Sequence, residues 1–222
     1  MSFNIAIDGP AGAGKSTIAK LAAKELGFIY IDTGAMYRTI ALYLLREHVD
    51  CEDEQALEAA LRRIEVEIGY SGGVQQLILN GENVTDLIRT EEVSQMASIS
   101  SAKPSVRQKL LQLQRGAAEK YNVIMDGRDI GTVILPDAQL KIYLTASIEE
   151  RARRRYAEMK AKGVDCDLSE IEADIAQRDE RDMNREVSPL KQAEDAVLID
   201  SSNMTIEEVC EKICALAKCA GA

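Results

Sequence analysis

Residues 9–16 read GPAGAGKS and follow directly on a short apolar run at 5–7. Gly9, Gly14, Lys15 and Ser16 fit G-x-x-x-x-G-K-[ST], a spacing that cradles phosphate. The loop's backbone N–H groups point inward at phosphate oxygens, Lys15 reaches the terminal phosphates, and the Ser16 hydroxyl ligates magnesium. A helix opening near Lys15 aims its positive end at the same anions. The flanking sequence supplies that setting. The run at 5–7 reads as a strand, and Ile18, Leu21, Ala22 and Leu26 recur at helical spacing before Gly27, a helix-ending residue. A strand–loop–helix unit that binds a nucleotide is therefore expected. It identifies a phosphate donor but leaves the destination open: water, nothing at all in a switch that only binds, or a second small molecule.

Five apolar runs, at 5–7, 28–31, 123–125, 140–144 and 197–199, are continuous rather than alternating, the mark of strands buried on both faces. With helices between them they predict a doubly wound α/β fold around a parallel sheet. Four of the five run into an aspartate: Asp8, Asp32, Asp126 and Asp200. Ligands of open α/β sheets bind at the carboxyl ends of strands, so gathered carboxylates suit a magnesium–nucleotide site; for Asp200 an ordinary strand-end role reads better. Residues 62–88 depart from this rhythm. Ile64, Val66, Ile68 and Tyr70 alternate with Glu65, Glu67 and Gly69, residues 71–73 turn the chain, 74–79 return, and Asn80-Gly81 signals a hairpin. A small antiparallel sheet inserted into the core, leaning on neighbouring helices, is expected.

Composition narrows the function. The 222 residues are 46% apolar and 29% charged, enough for one buried domain with an inserted lobe. A net charge of −10 argues against a nucleic-acid coat. No stretch approaches the ~18 apolar residues of a membrane helix, and the first residues lack a secretory signal, so a cytoplasmic enzyme without membrane or nucleic-acid partners is expected. The five cysteines are odd in number and scattered, which disfavours a disulfide framework. The single histidine, His48, trails a helix and leaves no base for a triad. No N-K-x-D run reads guanine, as a GTPase would require. Transfer to a phosphate acceptor needs cations and positioning rather than a base, and arginines are well placed for it.

Three stretches read as the acceptor side. Thr33-Gly34-Ala35-Met36-Tyr37-Arg38 follows the second strand and places a hydroxyl, a ring and a guanidinium at the mouth of the site. Asp126-Gly127-Arg128-Asp129 follows the third strand, with two carboxylates around a guanidinium. Arg178, Arg181, Asp182 and Arg185 fall at i, i+3, i+4 and i+7 of an expected helix, hence on one face; spacing alone is equally that of a solvated ion-paired stripe.

Together GPAGAGKST, DTGAMYR, IRTEEVSQMAS, DGRDIGTVILPDA, RRRYAEMKAKG and QRDERDMNREVSPL resemble the bacterial-type cytidylate kinases, in order, across residues 4–210. The resemblance implies a nucleoside-monophosphate kinase fold with a five-stranded parallel sheet, helices on both faces, an antiparallel insert and a mobile lid. It places the core at about 1–32, 104–149 and 186–222, the acceptor lobe at about 33–103 and the lid at about 150–185. The implied activity is transfer of a phosphate from ATP to CMP or dCMP, with Mg2+ accompanying ATP; nothing in the sequence demands an oligomer, and a monomer is expected. Gly9, Pro10, Ala11, Gly12, Ala13, Gly14, Lys15, Ser16 and Thr17 would hold ATP, with Ser16 on magnesium and Asp126 orienting it through water. Thr33, Tyr37, Arg38 and Arg128 would hold CMP, the two arginines on its phosphate. Ser98, Arg107 and Asp129 would read cytosine, Arg178 and Asp182 meet the pentose, and Arg185 lies near base and phosphates. Lys15, Arg128, Asp129 and Arg185 are the implied catalytic set. The basic run Arg151, Arg153, Arg154 and Arg155 falls in the lid, from which arginines could close on ATP phosphates, and which of the four does so is left open. Thr33 stands where some members carry serine. Competing readings are a kinase of UMP or of shikimate on the same fold, and a non-catalytic nucleotide-binding regulator.

Overall fold

The protein is described by a computed structural model covering residues 2–222. Chain contacts divide it into two compact units. The first runs to Tyr30 and resumes at Tyr121; the second is Ile31–Lys120.

β1 (Asn4–Asp8) opens the first unit, with Ile5, Ala6 and Ile7 fully buried. α1 (Lys15–Leu26) begins at the glycine loop and ends where Gly27, at φ 70°, donates its N–H to Ala23 O. β2 (Ile29–Asp32) carries the chain into the second unit.

There Asp32 caps α2 (Thr33–Arg46) by accepting from Ala35 N, and Asp53 caps α3 (Glu54–Arg63) in the same way from Ala56 N. α3 runs to Arg63 with Ile64 as its buried cap, so the alternating strand starts at Val66 rather than at Ile64. β3 (Val66–Ser71) and β4 (Val74–Leu79) pair antiparallel, followed by the two-residue β5 (Glu82–Asn83). Asn80 and Gly81 take φ 50° and 84°, the left-handed pair a tight hairpin needs. Alternate β4 residues Gln75, Leu77 and Leu79 face inward, and the sheet leans on α2. α4 (Glu91–Ser100), capped by Thr90, packs on α2, and α5 (Pro104–Lys120) packs on α2 and α3.

The chain returns to the first unit with β6 (Val123–Gly127), a single π-helical turn at Ile130–Ile134, and β7 (Leu140–Thr145). α6 (Ile148–Ala161) and α7 (Leu168–Asn184) pack on each other through Ala152, Tyr156, Ile171 and Ile175. β8 (Val197–Asp200) and α8 (Ile206–Cys219), whose N-terminus carries a Thr205–Glu208 capping box, complete it. The five long apolar runs form one parallel sheet in the order β2-β6-β1-β7-β8, as their continuous hydrophobicity required. Ile18, Ala22, Val209 and Ile213 of α1 and α8 pack against Ile5, Ile7, Ile142 and Ile199 of the sheet. Among the described residues no helix is long and apolar enough to cross a membrane.

Candidate active site

The glycine loop leaves β1 between β6 and β7, where the chain's crossovers diverge and α/β sheets bind ligands. Gly9 sits at φ 151°, and a Cβ there would lie 1.9 Å from Leu144 O. Only glycine passes the β7 backbone so closely. Beyond it, Lys15 is buried at the start of α1 and its Nζ donates to Pro10 O at 2.7 Å. Burial, and next the charge of Arg128, bring the Lys15 ammonium down to about 7, against the pull of Asp126 and Asp8.

Sheet register places Asp126 beside Ile7, one strand over from the loop. Its carboxylate accepts from Ser16 Oγ at 3.0 Å and from Tyr30 Oη at 2.8 Å. A hydroxyl and a carboxylate side by side are hard oxygen donors of the kind Mg2+ takes. Among the described residues no cluster of three or more His, Cys, Asp or Glu forms a metal cage.

Strand-end aspartates do not all belong to one carboxylate cluster. Asp8, 5% exposed, accepts from Ile130 N at 2.7 Å and Gly131 N at 2.8 Å, so it anchors the π-helical turn. Burial raises its carboxyl to about 6 despite those two N–H groups. Asp32 caps α2, and Asp200 accepts from Ser202 N and Oγ. Sequence position put all four at strand ends, but which neighbour each meets depends on the register of the sheet.

The turn anchored by Asp8 begins just after Arg128 and Asp129. Arg128 Nε donates to Asp182 Oδ2 at 2.8 Å, and Arg185 Nη2 pairs with Asp129 Oδ1 at 3.4 Å. Arg185 Nε also donates to Ser188 O. Asp182 is buried, which pushes its carboxyl up, but the charge and hydrogen bond of Arg128, with Arg185 and Arg178 behind them, hold it below the usual range. The expected four-residue stripe needs correction. α7 ends at Asn184, Arg185 follows with extended backbone, and Arg181 is exposed while Asp182 is buried. Inward and outward faces of the helix are set by its packing.

In the second unit, Thr33 is buried at the start of α2, and Tyr37 lies one turn on beneath the Arg107 guanidinium, 5.6 Å from ring centroid to Cζ. Arg107 also donates to Ser101 O, and Ser101 Oγ donates to the Ser98 carbonyl, so α4 and α5 bring Ser98 and Arg107 to one place. Arg38 and Arg89 both meet Asp32 Oδ2 at 3.3 Å, while Asp32 N donates to Gln75 Oε1. Gln75 escaped the sequence reading, since nothing local distinguishes it from a surface residue, and Arg89, although inside IRTEEVSQMAS, meets an Asp32 that lies 57 residues away in the chain. A broad concavity by Arg62, Arg63 and Lys109 contains none of the motif residues.

The basic run divides. Arg151 is 3% exposed and turns all three guanidinium nitrogens to protein acceptors, Ala11 O and Ala146 O at 2.9 Å each and Asp179 Oδ2 at 2.6 Å. Arg154 donates to Glu150 and to Ser201 O, while Arg153 and Arg155 are exposed. Of the four arginines among which the sequence left the ATP contact open, Arg151 is thus already engaged by the protein itself. His48 follows α2 and is exposed.

The cytidylate kinase family model matches residues 5–219. Cytidylate kinase from Caldicellulosiruptor saccharolyticus is 52% identical over 95% of this chain and 93% of its own. That from Listeria innocua is 51% identical over 96% and 95%. Among solved structures, an uncharacterized protein from Eubacterium ventriosum superposes with a TM-score of 0.53 at 13% identity over 99% of each chain, a likeness of fold alone.

Proposed function

The chain belongs to the cytidylate kinase family and transfers the γ-phosphate of ATP to CMP or dCMP, and we propose that residues 9–17 are the site of its ATP. The observation that carries this assignment is the buried Lys15 at the loop, with Ser16 hydrogen-bonded to Asp126 beside it. The loop's N–H groups and the start of α1 receive the phosphates, and Lys15 follows negative charge onto the transferring group.

In the reaction an oxygen of the CMP phosphate attacks the γ-phosphorus. The bond to the bridging oxygen breaks, and ADP leaves with that electron pair. The attacking oxygen is already anionic, so no side chain has to remove a proton. Cations do the work instead. Arg38 and Arg128 are assigned to the CMP phosphate, and Arg185 to base and phosphates. Asp32 and Asp182 hold the first two guanidiniums, which limits the freedom lost when substrate arrives. Ser98, Arg107 and Asp129 are assigned to cytosine, Arg178 and Asp182 to the pentose, and Thr33 and Tyr37 to the same nucleotide. Ser16 and Asp126 would hold Mg2+ with ATP, an ion that neutralises phosphate charge when bound. Residues 150–185 are assigned to the lid and 33–103 to the acceptor lobe. The acidic net charge and five free cysteines support a cytoplasmic enzyme, which we take to act as a monomer on free nucleotides.

A coupled assay of ADP release tests the assignment, with CMP, dCMP, UMP, AMP and shikimate as acceptors and a control without acceptor. CMP and dCMP should support turnover far above the rest. Release in the control alone would mean an ATPase, and silence throughout a nucleotide-binding regulator.

A further inference from the structure

A phosphate-binding loop presents its N–H groups inward only if its carbonyls turn outward, and an outward carbonyl buried against protein needs a donor. Here the donor for Ala11 O is Arg151 Nη1, at 2.9 Å. Arg151 belongs to the first turn of α6, and its other two guanidinium nitrogens are used as well: Nε on Ala146 O, at the end of β7, and Nη2 on Asp179 Oδ2 of α7. The packing is close. A Cβ on Gly12 would lie 3.3 Å from Arg151 Cβ. A buried guanidinium requires a counter-charge, and Asp179, whose side chain is 10% exposed, is placed to provide it. The other Asp179 oxygen, Oδ1, is buried without a hydrogen-bond partner, and beyond Arg151 the carboxylate reaches Arg128 only through its charge. On α7 it lies between Arg178 and Asp182 in sequence. Neither Arg151 nor Asp179 is needed by the chemistry described above.

We propose that Arg151 and Asp179 are positioning residues for the ATP loop: Arg151 holds the Ala11 carbonyl outward, Asp179 holds Arg151, and the shape of the loop thereby depends on α7. Losing Asp179 leaves a buried cation free to leave Ala11 for the nearest anion, so the loop loses its brace. Lysine at 151 has one ammonium and no planar fork, and cannot span three acceptors on three segments. The inference rests on residues 9–17 being the ATP site.

The test measures KM for ATP, KM for CMP and kcat, with thermal melting, in Arg151→Lys, Asp179→Asn and Arg151→Met/Asp179→Leu. The double variant removes both charges, so no buried ion is left unpaired and the fold is kept. The expected result is a rise in KM for ATP on the order of ten- to a hundredfold, the scale of a misplaced reactant, with a much smaller change in KM for CMP. In the double variant that rise should persist at a melting temperature near wild type. Lys15→Ala is the control for the site itself. If Lys15→Ala leaves ATP use intact, the loop assignment fails. If Lys15→Ala abolishes transfer while the folded double variant keeps KM for ATP within about twofold of wild type, the brace is overturned and the pair is scaffold only.

Discussion

Arg128 Nε and Asp182 Oδ2 meet at 2.8 Å across 54 residues of chain, joining the loop after β6 to the end of α7. The pair is mostly buried, with side chains 25% and 12% exposed, and the charge and hydrogen bond of Arg128 keep the carboxylate ionised against that burial. Asp182→Ala should cut kcat/KM for both CMP and dCMP by about ten- to a hundredfold, since it frees Arg128 as well as removing the carboxylate proposed to meet the pentose. Steady-state kinetics with both acceptors checks this. Normal constants with both would mean that the buried Arg128–Asp182 pair is scaffold and takes no part in acceptor binding.

Lys15→Ala should lower turnover by a factor of a hundred or more while the melting temperature barely moves. Its ammonium matters most as charge spreads over the transferring phosphoryl group, and its hydrogen bond is to a loop carbonyl, Pro10 O, rather than to a core side chain. Turnover near wild type in a folded Lys15→Ala protein would sink the donor assignment.

Asp8 makes stability depend on pH in an unusual direction. The folded carboxyl keeps its proton to about pH 6, while the unfolded one releases it near 3.8. The native state therefore binds more protons across that interval. Asp8's contribution is complete below 3.8 and is lost as pH rises through 6, by up to about 3 kcal/mol. Melting curves of wild type and Asp8→Asn between pH 4 and 7 read it out. Wild type should gain on the variant as pH falls, and a constant difference would contradict the shift.

Asp129 tests base reading. A carboxylate accepts from the cytosine 4-amino group and repels the uracil 4-oxygen. Asp129→Ala should therefore narrow the ratio of kcat/KM for CMP over UMP by roughly five- to 150-fold, corresponding to ~1–3 kcal/mol. Because Asp129 also pairs with Arg185, an equal fall for both acceptors would show that it acts by holding that arginine.

How much of this was legible beforehand varies with the range of the interaction. The loop GPAGAGKS, the helix behind it and five buried strands could be read from sequence because each depends on neighbours a few residues away. So could the hairpin at Asn80-Gly81, whose positive φ angles suit only a few residue types. The acceptor residues were visible as motifs, but their partners were not. Asp8, Asp32, Asp126 and Asp200 look alike in the chain, each closing a strand. Only the order β2-β6-β1-β7-β8 sets Asp126 on Ser16 while Asp8 turns to the N–H groups of Ile130 and Gly131. Arg151 likewise reads as one of four basic residues, and folding buries it between the glycine loop and α7 while Arg153 stays in solvent. Periodicity and turn chemistry are written locally, so the sequence alone determined the elements and the phosphate loop. Which buried charge faces which partner depends on sheet register and helix packing between distant segments, and that was decided by the tertiary structure.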